Sequence, residues 1–279
     1  MEKSSYGYAE LGRAPSYDSE ISSLESSTTT RRLPLVNILG KRGFFLFTSK
    51  QSYDKFRITK FKDVKLDADG VGVPLFHMVT KYDITAHVSA KKPIYVIYKY
   101  VVKELQSPPP YTHSEVVLQV DSYCLYKVPF CEIYKCRGFT ETSYKLLFPF
   151  EPESAKEYKM VEDSFSMGFE VKFGGNSLVW DVTAQKNHAL CYDLRVEDTS
   201  TVENNLTSGT LPVNGPNCTI GNYNPKLFGR IPMSTYNCAN LLFNEKSGPA
   251  AFGITSVPYV TELLACQGML IHRIDEDRR

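Results

Sequence analysis

The sequence predicts an all-β fold with one buried helix: a closed antiparallel barrel of about twelve strands around a C-terminal hydrophobic helix. Two observations carry this expectation. From Leu33 onward, short apolar or alternating runs recur at intervals of about 8–15 residues, the spacing of a sandwich or barrel. One segment breaks that pattern: SVPYVTELLACQGMLIHRIDEDRR, whose apolar residues cover nearly the whole circumference at a 3.6-residue period. A helix that is apolar on nearly all sides is buried on nearly all sides. At about 15 apolar-patterned residues it is short for a bilayer span, and it lacks the charged face of an interfacial helix. A surrounding barrel satisfies both facts, and closure removes the edges that so many short strands would leave exposed.

Taken in order, residues 1–32 read as a disordered tail. The stretch SSLESSTTT and its surroundings hold too little apolar surface to offset the entropy of ordering. The barrel domain is expected over 33–279. LVNILGKRGFFLFTS reads as a hairpin with Lys41 and Arg42 at its tip, and YDKFRITKF as a strand in which Phe56 and Ile58 alternate with Arg57 and Thr59. Strand-like runs follow in KKPIYVIYKYVVKEL, EVVLQVDSYCLYKV, FCEIYKC, TSYKLLFPF, SFSMGFEVKF, SLVWDVTA and ALCYDLRV. The polar stretch 197–217, with Gly and Pro, is expected to be a surface loop, after which KLFGRIPM, NCANLLFNE and AAFGITSV resume the strands. In the terminal segment, Ser256 and Pro258 are helix-start residues, and Leu263, Leu264, Cys266 and Leu270 are the expected core of the helix. Thr261, Glu262, Gln267 and Gly268 dilute the apolar pattern.

Charge and cysteine content narrow the function classes. Lys+Arg total 32 against 31 Asp+Glu, a formal net charge of +1, which argues against binding nucleic acid through a globally basic surface. The first twenty residues lack the apolar core of a secretory signal. The seven cysteines (124, 131, 136, 191, 218, 238 and 266) are odd in number and never at CxxC spacing. Reduced thiols are therefore expected, with a location in the cytoplasm or at the cytoplasmic face of a membrane.

A meander of strands ending in one hydrophobic helix resembles the tubby C-terminal-like superfamily, which includes tubby proteins, plant LURP-one-related proteins and phospholipid scramblases. The resemblance covers about residues 33–274. It rests on strand count and order, on SLVWDVTA (Ser177–Ala184) as a central Trp-bearing strand, and on ELLACQGMLIHRID (Glu262–Asp275) as the terminal helix. It implies a barrel without enzymatic activity that serves as an interaction module or binds phosphoinositides. The lipid-binding residues of tubby do not transfer position by position, and acylated cysteine clusters are absent. Shared fold alone does not give shared function.

The sharpest short motif is Ser107-Pro108-Pro109-Pro110-Tyr111, a PPxY word. Consecutive prolines favour polyproline II, which docks into the aromatic grooves of WW domains with little loss of entropy. Pro108, Pro109 and Tyr111 are thus the candidate WW-binding residues, and a HECT-type ubiquitin ligase carrying WW domains is the natural partner class. The plain alternative is a rigid turn with Tyr111 packed on the barrel. Ala14-Pro15-Ser16-Tyr17 resembles a degraded copy of the word. Lys41, Arg42, Lys60, Lys62, Lys91 and Lys92, with Lys65 beside them, could gather anionic phospholipid headgroups, although lysines also guard strand edges.

Catalytic signatures are missing: there is no GxSxG, HExxH, GxxxxGK[ST] or GxGxxG word. His188 and Cys191 have HxxC spacing, but strand alternation sends them apart, so no metal and no cofactor are expected. Asp181 and Asp193 could be drawn together in the fold, but separation along the chain does not argue a paired-carboxylate mechanism. The reading is a non-enzymatic cytosolic adaptor presenting a PPxY motif. Its alternative is a peripheral membrane protein that binds phosphoinositides through basic loops.

Overall fold

The computed structural model describes residues 28–61, 65–81, 92–111, 114–139, 141–149, 156–173, 176–186, 188–197, 218–226, 235–246 and 252–279. Residues 1–27 of the proposed tail, with its Ala14–Tyr17 word, Lys62, Lys91, the 198–217 portion of the expected loop and most of KLFGRIPM lie outside those residues.

Thirteen strands and two α-helices are formed among the described residues. In chain order they are β1 (Thr28–Ile38), β2 (Phe44–Leu46), α1 (Lys50–Thr59), β3 (Phe76–Thr80), β4 (Tyr95–Glu104), β5 (Glu115–Val120) and β6 (Tyr123–Arg137). There follow β7 (Thr142–Phe148), β8 (Lys156–Glu162), β9 (Phe169–Phe173), β10 (Asn176–Lys186), β11 (Ala189–Val196), β12 (Cys218–Pro225), β13 (Thr235–Lys246) and α2 (Tyr259–Arg278). Every neighbouring pair is antiparallel. The order runs β4-β3-β2-β1-β13-β12-β11-β10-β9-β8-β7-β6, and β6 returns to β4 to close a ring of twelve. β5 pairs with β6 alone and stands outside that ring.

The helix fills the ring. Leu263, Leu264, Cys266 and Leu270 are buried, as expected, and so are the four residues that diluted the pattern: Thr261, Glu262, Gln267 and Gly268. Each has a local reason. Thr261 donates to Glu245 of β13 at 2.9 Å, and Glu245 is held by Arg31 of β1 at 2.9 Å. Glu262 meets Lys99 of β4 at 2.6 Å, and Gln267 accepts from the indole N–H of Trp180 on β10 at 3.0 Å. At Gly268 a Cβ would come within 2.5 Å of Leu241 Cδ2, so the absent side chain lets helix and strand approach. His272 bonds through Nδ1 to the Tyr223 hydroxyl of β12 at 2.8 Å, and burial holds its imidazole neutral with a pKa of about 3. These positions thus contact four different strands, β4, β10, β12 and β13, which sets the rotation and depth of the helix. Apolar contact alone, being non-directional, would specify neither.

Four local expectations need correction. YDKFRITKF is helical: Ser49 caps α1 by accepting from the Ser52 N–H at 3.0 Å. Tyr53 and Phe56, three residues apart, lie on one face and pack on Val36, Phe45 and Phe47, whereas Ile58 points outward with 85% exposure. AAFGITSV forms a 3-10 turn at Ile254–Ser256 in place of a strand. FCEIYKC is no separate strand but the second half of β6. Finally, β1 already begins at Thr28, because its N-terminal residues pair along β13 (Thr29 opposite Glu245, Thr30 opposite Asn244). The expected hairpin is present as β1–β2, with Gly40 and Gly43 at φ of 80° and 83°. A Cβ at Gly43 would also collide with the Met78 carbonyl.

Candidate functional site

The antiparallel register sorts the connections into two ends. α2 starts at the end carrying the β4–β5 connection and stops at the end carrying the β1–β2, β6–β7 and β8–β9 turns.

At the starting end lies a cavity of about 700 Å3. β4 supplies Lys99, Val101 and Lys103, alternate residues that share a face. Their register partners on β6 are Val128, Tyr126 and Cys124. Phe130, Phe148, Val257 and Tyr259 add apolar and aromatic wall. The rings interlock, with Phe130–Phe148 centroids 5.4 Å apart and edge-on, and Phe130–Tyr259 at 6.3 Å. The Lys99 ammonium lies 5.3 Å from the Phe130 ring and Lys156 lies 5.8 Å from the Tyr259 ring. Glu262, almost wholly buried, is the one carboxylate in the lining among the described residues; burial pushes its carboxyl up, and Lys99 opposes that shift. This wall was not found from sequence, because its parts come from β4, β6, β7, the start of β8 and the start of α2. A clue was the Glu262 that interrupts the apolar helix.

The PPxY word sits on the rim of this cavity. Pro108 and Pro109 are exposed, while Pro110 and Tyr111 line the cavity. Tyr111, at 38% exposure, is fastened in a turn: its N–H donates to Ser114 Oγ at 3.0 Å, and the Ser114 N–H donates to its carbonyl at 3.2 Å. The first two prolines of the word project, and its tyrosine is half-packed.

The stopping end is polar at its centre. Asp275, 1% exposed, accepts from the Leu190 N–H at 3.3 Å and pairs with Arg279. Asp277 accepts from the Tyr95 hydroxyl at 3.1 Å, and Arg278 grips Glu162 at 2.7 Å and the Tyr192 hydroxyl at 3.2 Å. Around this centre the turns carry the fully exposed rings of Phe139 and Phe165, together with Lys41 and Arg42. Among the other basic candidates, Lys60 ends α1, Lys65 follows it in a connection, and Lys92 precedes β4. They stand on separate elements, and none of them lines the large cavity. Asp181 and Asp193 do meet as register partners on β10 and β11, but Arg195 binds Asp181 at 3.0 Å, which makes them a surface ion-pair cluster. No group of three metal-ligating side chains occurs among the described residues, and all seven cysteines are free. No helix there is long and apolar enough to cross a membrane, which leaves strands untested.

Comparison with known proteins adds a family. The chain is 37% identical over 256 residues to the uncharacterized protein YOR385W of Saccharomyces cerevisiae, covering 89% of this chain and 88% of that one. It is 26% identical over 268 residues to Protein DIA1 of the same yeast, covering 89% and 80%. It is also 35% identical over 128 residues to the uncharacterized protein YNL165W, covering 45% and 29%. No solved structure matches it significantly. The family model DIA1 matches residues 27–279, the whole of the described barrel and its helix, and the chain therefore belongs to the DIA1 family.

Proposed function

We propose that this DIA1-family barrel is a non-enzymatic adaptor, working in the cytoplasm, that presents Pro108–Tyr111 to WW-domain proteins such as ubiquitin ligases. A distant kinship with the tubby C-terminal-like superfamily, suggested by strand order and the enclosed helix, belongs to the same proposal. The observation that carries it is the exposure of Pro108 and Pro109 on the β4–β5 connection. A WW groove grips proline rings first and takes the tyrosine in a second pocket. Tyr111, tied to Ser114, needs only a local rearrangement of one connection to reach that pocket. Binding of the full-length chain to an isolated WW domain tests this. Tyr111→Ala and Pro109→Ala are each expected to weaken capture about tenfold or more. Equal capture by both variants and the parent chain would end the proposal.

A second reading is favoured by a different observation. Exposed Phe139 and Phe165 share one barrel end with Lys41 and Arg42, the arrangement of a peripheral membrane protein that meets an anionic, phosphoinositide-bearing surface. Sedimentation with phosphoinositide-containing vesicles, expected to fall for the double variant Lys41→Glu/Arg42→Glu, tests it; unchanged sedimentation removes these residues from any such role.

A further inference from the structure

We infer that the cavity where α2 begins is a small-molecule site for an amphipathic carboxylate, a ligand with an apolar body and one acidic head. Volume comes first. About 700 Å3 lies inside the range of roughly 300–1,000 Å3 typical of ligand pockets. The walls come next. Val101, Val128, Phe130, Phe148, Val257 and Tyr259 offer an apolar and aromatic surface to the body of such a ligand. Proteins seldom leave a concave apolar surface of this kind open without use.

Charge selects the head. Among the described residues of the lining, three lysines, Lys99, Lys103 and Lys156, face one carboxylate, Glu262. That carboxylate is already engaged by Lys99 at 2.6 Å. Whether Glu262 is charged or protonated, Lys103 adds a positive charge that no described carboxylate of the lining pairs. A cationic ligand would meet no free carboxylate among the described residues of the lining. Lys103 is exposed and makes no ion pair among the described residues. It stands four residues beyond Lys99 on β4, about 13 Å along an extended strand. The cavity thus has an internally neutralised inner wall at Lys99 and an available cation at its rim. That polarity orients an amphiphile with its apolar body inward and its acid at Lys103. Lys156, over the Tyr259 ring, widens the cationic rim.

The site is independent of the WW reading, and its test uses no change in the PPxY word. Full-length protein is titrated calorimetrically with sodium dodecanoate, dodecanol and dodecyltrimethylammonium, each below its aggregation concentration. Dodecanoate is expected to bind saturably, at one equivalent, about tenfold or more tightly than either of the others. Lys103→Glu, a change at an exposed position, is expected to weaken dodecanoate about tenfold and leave dodecanol unchanged. Thr255→Trp, which fills the mouth from an exposed rim position, is expected to weaken both. Absence of saturable binding, equal binding of all three probes, preference for the cation, or indifference of dodecanoate to Lys103→Glu would each overturn the proposal.

Discussion

The two ends of the barrel solve the same problem in opposite ways. Both must terminate a helix that is buried along its length. Where α2 stops, the strands close on it with charge: Asp275 holds Leu190 and Arg279, Asp277 meets Tyr95, and Arg278 joins Glu162 to Tyr192. Where α2 starts, Lys99–Glu262 anchors the first turn directly and Arg31–Glu245 anchors it through Thr261, and beyond them the wall opens into an aromatic cavity rimmed by the PPxY connection. The difference shows where this fold spends its polar groups. At the closed end they satisfy one another and fix the helix. At the open end Lys103, which makes no ion pair among the described residues, stands beside apolar surface, which is the composition of a binding site.

Substitutions at the two ends should separate these roles. The largest effect is expected for Asp275→Ala, which strips a partner from a buried backbone N–H and from Arg279. A loss of about 2–3 kcal/mol in urea unfolding follows from leaving such groups unpaired. Lys103→Ala, at the open end, should change unfolding by less than about 0.5 kcal/mol, because an exposed residue without an ion pair supports no core contact. Equal losses at both positions would erase the distinction between a structural end and a binding end.

Much of this architecture was legible in the chain itself, and the reasons are physical. The enclosed helix announced itself because an environment that is apolar on all sides selects apolar residues on all sides. The β1–β2 hairpin was legible because its turn needs glycine at positive φ. Strands β3, β8 and β12 escaped notice: FHMVT is too short to show a period, KEYKMVE is too polar, and CTIGNYNP carries the Gly, Asn and Pro of a loop. α1 was mistaken for a strand because a four-residue alternation around Phe56 imitates a strand period. The contacts that decide otherwise, to Phe45 and Phe47, lie outside that window. Of the candidate site, the PPxY word could be read directly. The cavity behind it could not, since Lys99, Phe130, Phe148 and Tyr259 converge only after closure of the ring.

The central claim is that α2 is a core element surrounded by strands, and backbone amide hydrogen exchange along Leu263–Ile274 tests it most directly. The account predicts protection matching that of β1 and β13, lost only when the whole domain unfolds. Exchange in this helix several orders of magnitude faster than in those strands, under conditions where the strands stay protected, would contradict it.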